Sequence, residues 1–279
     1  MKKLRFATSF IFLLCFMTIL ANCAAVSSPR IRIVTSTSLL ACIAEQVGGY
    51  RVEVTNLVPA TSHPADFAIK PSDIENLANA KLFLLLGAPG ETWADKLIAS
   101  ANNSNLTVVK ANIAAANLLP SLQITATNKV TEALIQVDSK NTANYQKSAL
   151  EYSQRIEATE AAVKSRLNKA NISQINAISS VMQAEFLKWA GVKVIAAYGD
   201  PKSLTPQVVK GLIDQGKAAK VNLVVNNIHS GKDAGKAIAE ELGAKQINLS
   251  NFPGGIDNTE TWEKAINKNV ELLLGALSH

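Results

Sequence analysis

Between Asn141 and Ala170 the chain contains no glycine or proline, and its weakly apolar residues Tyr145, Ala149, Tyr152, Ile156, Val163 and Leu167 recur mostly at steps of three and four. That spacing places them on one face of an α-helix. About 30 residues at 1.5 Å rise make a rod of roughly 45 Å, longer than most globular helices. The face is built from small or polar residues over a short stretch, so it predicts a helix bridging two lobes rather than a coiled-coil seam.

On both sides of this rod, short β-rich runs alternate with helical segments. Before it, strands are expected at Ile31 to Val34, Arg51 to Val58, Lys81 to Leu86 and Leu106 to Val109, with helices near Leu39 to Val47, from Pro71, and near Glu91 to Ala101. The unbroken apolar run Leu82 to Leu86 suits a parallel strand covered on both faces. Beyond the rod, strands are expected at Ile175 to Ser179, Lys193 to Tyr198, Asn222 to Asn226 and Lys245 to Leu249. The helices between them are Val181 to Ala190, Thr205 to Lys217, Gly231 to Leu242 and Thr259 to Leu277, with Gly191 and Gly243 as C-terminal stops. The fold expected is α/β: two β/α lobes with parallel-rich sheets, joined by one long rigid helix, with a ligand cleft between them. Its parts are a leader at 1–22, an N-terminal lobe at 23–125, a linking helical region at 126–172 and a C-terminal lobe at 173–279.

The leader has Lys2, Lys3 and Arg5 ahead of an apolar run from Phe6 to Leu20, the pattern of an export signal. Its core is shorter than the roughly 20 residues that span a bilayer, so cleavage is expected. The segment closes on Leu20-Ala21-Asn22-Cys23, which resembles the lipobox of bacterial lipoproteins and implies acylation of Cys23; plain cleavage around Ala24 or Ala25 is the alternative. Cys15 leaves with the leader and Cys23 carries lipid, so Cys42 has no partner and reads as a small core residue. The 28 Lys and Arg face 22 Asp and Glu, and the loss of three bases with the leader brings the net charge from +6 to +3. With aromatics at 5% as well, nucleic acid is not an expected partner.

No G-x-S-x-G elbow, H-E-x-x-H pair or G-x-G-x-x-G frame is present, so no enzyme is expected. Trp93 and Trp189 have helical apolar neighbours and read as packing residues. In parallel α/β sheets a ligand sits beyond the carboxyl ends of the strands, and there the sequence is polar. Thr35-Ser36, Ser62-His63-Pro64-Ala65-Asp66, Gly87 to Glu91, Ser180 to Gln183, Asn226-Asn227-Ile228-His229 and Ser250 to Gly255 fall at those ends.

The order VTSTSLL, VGGYRVEVTNLVP, KPSDIENLANAKLFLLLG, WAGVKVIAAYG and ELGAKQINL is similar to the metal-binding solute receptors of bacterial and archaeal ATP-binding cassette importers, over nearly all of Arg30 to Leu277. The resemblance implies two α/β lobes joined by one rigid helix, no catalysis, and a Zn2+ or Mn2+ ion as cargo with no organic cofactor. It also implies a membrane permease as partner, a lipid-anchored extracytoplasmic location and a monomer. The family's ligands are a His before the Pro-Ser-Asp helix, a second His ahead of the linking helix, a His or Glu after the first strand of the second lobe, and an acid near the end. Here the first position falls near Ala65 or Asp66, with His63 two or three residues earlier. Leu119 to Gln123 has no His, Ser180 to Gln183 stands at the third position, and Ser250-Asn251 at the fourth.

Only three histidines exist and His279 is terminal, which leaves His63 and His229, with Asp66, as the candidate metal ligands. Each has a plainer reading: a loop histidine bonded to backbone, or an acid acting as a local cap. Ser36, Ser62, Ser180, Gln183, Asn227 and Asn251 are the candidate ligand-binding residues, since hydroxyls and amides suit a hard cation or an organic solute. Two other readings stay open: a receptor of the same fold for an organic solute or metal chelate, and a surface adhesin without transport.

Overall fold

Four strands in the first half, β1 (Ile31–Thr35), β2 (Val52–Asn56), β3 (Leu82–Leu85) and β4 (Thr107–Lys110), pair in the order β2-β1-β3-β4, every pair parallel. The computed structural model describes residues 29–88, 90–113 and 118–277; the leader, Cys15, Cys23 and His279 lie outside the described residues. Alternate residues of the central strands face opposite ways, as a period of two requires. Ile33, Leu82 and Leu84 join one apolar cluster, while Val34, Phe83 and Leu85 join another with Trp93 and Leu97. The sheet is thus covered on both faces, which explains why β3 reads as a continuous apolar run.

The connecting helices are α1 (Ser38–Gly48), α2 (Pro71–Ala78) and α3 (Ala94–Ala101). Proline opens α2, and the Asp73 carboxylate accepts the Lys70 N–H at 2.8 Å, satisfying one of the donors a helix start leaves over. Glu91, expected within a helix, lies ahead of α3 and caps a loop.

Helix α4 (Pro120–Val137) follows, and then α5 (Thr142–Lys169), 28 residues long. Tyr145, Ala149, Tyr152, Ile156, Val163 and Leu167 are its buried residues, the same six that the spacing placed on one face. They lie in a single apolar cluster that also holds Ile33 and Leu40 from the first half and Ala177, Phe186, Leu223 and Trp262 from the second.

The second half repeats the layout. Strands β5 (Asn176–Ser180), β6 (Lys193–Tyr198), β7 (Leu223–Asn227) and β8 (Lys245–Leu249) pair in the order β6-β5-β7-β8, again all parallel. Helices α6 (Val181–Ala190), α7 (Pro206–Ala218), α8 (Lys236–Leu242) and α9 (Trp262–Gly275) complete it. Gly191 and Gly243 end α6 and α8 at φ 98° and 59°, the left-handed geometry that favours glycine. In both sheets the chain reverses its direction of travel beside the first strand. The crevice therefore opens beyond the carboxyl ends of β1 and β3 in one lobe and of β5 and β7 in the other.

Candidate functional site

At the end of β7 the chain turns sharply through residues 228–235, and one side chain holds that turn. Asn226, fully buried, takes the Gly235 N–H (2.8 Å) and the Tyr198 hydroxyl on its Oδ1, and its Nδ2 donates to the Lys232 carbonyl (2.7 Å) and Asn248 Oδ1 (3.0 Å). The turn carries His229, which is 7% exposed and packs edge-on to Phe252 at 4.9 Å. Its Nε2 accepts the Asn251 N–H at 3.3 Å and lies 3.1 Å from Ser250 Oγ. A nitrogen that accepts an N–H carries no proton, so the neutral ring holds its proton on Nδ1. That atom is buried and has no partner among the described residues. Burial, and secondarily the nearby His63, push the His229 pKa down to about 4.

Beside it, Gln183 in the first turn of α6 is 1% exposed, and its Nε2 donates to Asn251 Oδ1 at 2.6 Å, with Leu249 O and Asn227 Oδ1 each 3.4 Å away. The Leu249 carbonyl can only accept, which fixes which end of the Gln183 amide faces it and, through it, which end of Asn251 faces Gln183. The ends left over are an acceptor, Gln183 Oε1, and a donor, Asn251 Nδ2; both are buried and unpartnered, as is Ser179 Oγ. Ser180 is occupied locally, accepting the Met182 N–H at 3.3 Å, and Asn227 Nδ2 donates to Ser230 Oγ at 3.0 Å.

The N-terminal lobe treats its polar residues differently. Ser36 Oγ accepts the Leu86 N–H (3.0 Å), and the buried Glu91 carboxylate accepts the N–H groups of Leu86, Gly87 and Ala88 at 3.1, 2.6 and 3.2 Å. His63 starts the short helical turn Pro64–Asp66, its Nδ1 accepting the Ala65 N–H at 3.1 Å. Only Nε2 remains for a ligand. Trp93, expected to pack, is 8% exposed and also donates Nε1–H to the Pro64 carbonyl at 2.9 Å, tying this turn to the lobe. Ser62 is half-buried and Asp66 is exposed.

The lobes meet at these loops. Ser38 Oγ donates to the Pro253 carbonyl at 2.7 Å. A Cβ on Gly255 would strike Ser250 Oγ and stand 2.9 Å from His229 Cε1 and 3.2 Å from the Ala60 carbonyl oxygen. Glycine at that position lets the His63 loop and the His229 loop close on each other.

The structure therefore brings His63 and His229 to one region from opposite lobes, and Gln183, Asn227 and Asn251 into one hydrogen-bonded group beside His229. Among the described residues no three His, Cys, Asp or Glu side chains converge on a single point. Pro89 and Ala114 to Asn117, which fall outside the description in this span, contribute no residue of those types. Two imidazoles suit a borderline transition metal, and the remaining donors on offer are neutral oxygens. Asn226 falls in a strand-end run that the sequence marks as polar, though nothing there marks it as the bracket of the turn, and Asn269 carries no sequence signal as a site residue. Asn269 on α9 receives the Ser250 N–H on Oδ1 (3.1 Å) and returns its Nδ2 to the Ser250 carbonyl (2.8 Å).

Comparison with known proteins gives a consistent picture. The family model described as ZnuA, zinc-uptake complex component A periplasmic, matches residues 33–276. The iron-binding protein YfeA of Yersinia pestis is 22% identical over 268 residues, covering 88% of this chain and 86% of its own. The manganese-binding lipoprotein MntA of Halalkalibacterium halodurans reaches 34% over 80 residues, or 29% of this chain and 26% of its own. Among solved structures, a crystal structure of ZnuA superposes with a TM-score of 0.76 at 21% identity, covering 90% of this chain and all of that one. The SBP FpvC of Pseudomonas aeruginosa in complex with Mn2+ superposes with a TM-score of 0.75 at 25% identity, over 89% of this chain and 98% of that one.

Proposed function

We infer the function from one premise: the chain belongs to the family of zinc-uptake complex component A, periplasmic. Members of this family are solute receptors of ATP-binding cassette importers and not enzymes, and this chain is a receptor in the same sense. Its cargo in our reading is a transition-metal ion of the zinc or manganese class, bound between the lobes and handed to a membrane permease. The receptor works as a monomer outside the cytoplasmic membrane, held there by a lipid on Cys23, as the lipoprotein names of relatives such as SsaB of Streptococcus sanguinis suggest. No helix of the described residues is long and apolar enough to cross a membrane.

The observation that supports the metal reading is the closure of the Ala60 to Asp66 loop on His229 across the lobes, which brings His63 Nε2 and His229 Nδ1 to the same region; each holds the ring proton in the neutral resting tautomer and binds an ion only once that proton has left it. With the ring proton moved off them, His63 would offer Nε2 and His229 Nδ1, the His229 proton passing to Nε2 with Ser250 Oγ 3.1 Å away to accept it, and Asp66 would reach the ion only by a turn of its exposed loop. Titration calorimetry with Zn2+ and Mn2+ tests this. The wild type binds at least one of them, and the His63→Ala, His229→Ala double variant binds neither. Unchanged affinity in the double variant removes both imidazoles from the site.

A second reading is favoured by the unpartnered Gln183 Oε1 and Asn251 Nδ2, an acceptor and a donor that a bare cation cannot satisfy together. They suit a small organic solute or a metal chelate. A thermal-shift screen with such compounds, with and without metal, separates the two, because a ligand that binds only the native state raises the apparent Tm.

A further inference from the structure

Two helices remote from the cleft share one buried contact with it. Helix α9 packs on the linking helix α5, Arg166 Nη1 of α5 donating to Asn267 Oδ1 at 2.8 Å. The opposite face of α9 presents Asn269, with no exposed surface. Both ends of its amide bond the backbone of one residue, Ser250, in the arrangement given above. The Ser250 hydroxyl in turn donates to the Phe252 carbonyl (2.8 Å), accepts the Phe252 N–H (3.1 Å) and touches His229 Nε2, while the next N–H, that of Asn251, points to the same ring nitrogen.

We propose that Asn269 is a positioning residue for His229. By holding both backbone polar groups of Ser250 it fixes the Ser250 hydroxyl and the Asn251 N–H against Nε2, and so turns Nδ1 toward a ligand: as an N–H donor in the resting tautomer, and as a metal ligand when the ring proton moves to Nε2 and the Ser250 hydroxyl accepts it. The side chain never touches the cargo. Its role follows from reciprocity: an amide that accepts from the N–H and donates to the C=O of a single residue restrains both peptide units that flank it, which a single hydrogen bond does not. The linking helix is thereby joined to the imidazole through α9 without passing through either sheet. The proposal rests on reading His229 as a ligand-binding residue.

The test uses the full chain labelled with 15N-histidine, together with Zn2+ calorimetry. In Asn269→Ala the His229 ring-nitrogen resonances shift toward an average of the two tautomers, and Zn2+ affinity falls about tenfold or more. Asn269→Asp, which keeps the acceptor for the Ser250 N–H and loses the donor, falls between. Leu273→Ala, one helical turn along the same buried face, lowers Tm while leaving both readouts at wild-type values. His229 resonances unmoved in both Asn269 variants overturn the proposal, and so does an equal change in Leu273→Ala. Should the wild type take up neither Zn2+ nor Mn2+, the metal reading falls, and the resonances alone then decide the positioning role.

Discussion

The two lobes are wound alike and equipped differently. Each has four parallel strands in the same order, with polar residues at the same carboxyl ends. In the N-terminal lobe most of those residues are satisfied by the lobe's own backbone, Thr37 Oγ1 excepted: Ser36 and Glu91 between them receive the N–H groups of Leu86, Gly87 and Ala88, and His63 Nδ1 caps its own turn. In the C-terminal lobe Gln183, His229, Asn251 and Ser179 each keep a buried atom with no partner. An unpartnered buried polar atom costs about 1–3 kcal/mol; among the described residues the N-terminal half keeps Thr37 Oγ1 and Gln123 Oε1 in that state, so the C-terminal lobe carries the larger share of the cost that a ligand can relieve. Topology sets where a ligand can bind; the distribution of unsatisfied hydrogen-bonding groups weights the specific contacts toward the C-terminal lobe.

Four measurements break or sharpen this contrast. The largest effect is expected from Gly235→Ala, whose new Cβ would sit 2.5 Å from Val224 Cγ1, 2.8 Å from Asn226 Oδ1 and 2.9 Å from the Tyr198 hydroxyl. The bracket that shapes the His229 turn would have to open, at about 3 kcal/mol by urea unfolding, with loss of metal binding. Wild-type binding in that variant would show that the turn does not shape the site.

Next is pH. The His229 pKa is lowered in the folded protein to about 4, against 6.5 for a free side chain, so the unfolded chain takes up the proton first. Stability is therefore complete above about pH 6.5 and falls as the pH drops toward 4, by roughly 3 kcal/mol over that window. Thermal melts from pH 7.5 to 4 should show this decline, and His229→Gln should lessen it.

Glu91→Gln comes third. It replaces an acceptor of three backbone N–H groups by an amide with one acceptor end, at about 2 kcal/mol. If Glu91 serves only the backbone of its own lobe, affinity per folded molecule should stay within about twofold; a larger loss would place Glu91 in the binding machinery. The smallest effect is Trp93→Phe, which removes the bond to the Pro64 carbonyl at about 1 kcal/mol and keeps the ring packing on Phe67. Calorimetry should then show a modest loss of affinity traceable to a looser His63 turn.

The fold was legible because its signals are periodic. Leu82 to Leu85 announces a doubly covered strand, and the six buried residues of α5 follow from spacing alone. Helix α4 was not read as a separate element, and the reason lies in its composition. Ile124, Thr125, Thr127, Val130, Thr131, Ile135 and Val137 are β-branched and weak helix formers, so tertiary packing of Ala126, Val130, Ala133 and Leu134 outweighs local preference. The beginning of the last helices also differs from expectation. Residues 228–235 form turns rather than the start of α8 because Asn226 captures their backbone, a long-range effect that no local pattern encodes. The candidate site was legible as residue types and not as geometry. Residue types at strand ends pointed to His63, His229, Gln183, Asn227 and Asn251 as candidates and included Asn226 in the same run without its role as a bracket, whereas Asn269 looks like an ordinary polar residue in a helix until the chain is folded.

The apolar cluster that runs unbroken from the first sheet through α5 to the second has a consequence for traffic. Swinging the halves apart like a clamshell would wet that shared interior, including Tyr152 and Trp262, which are fully sealed from solvent. That leaves small lobe tilts and shifts of the turns at 60–66 and 228–235 as the low-cost motions, and the rate at which cargo escapes should track the looseness of those two turns rather than any large change of shape.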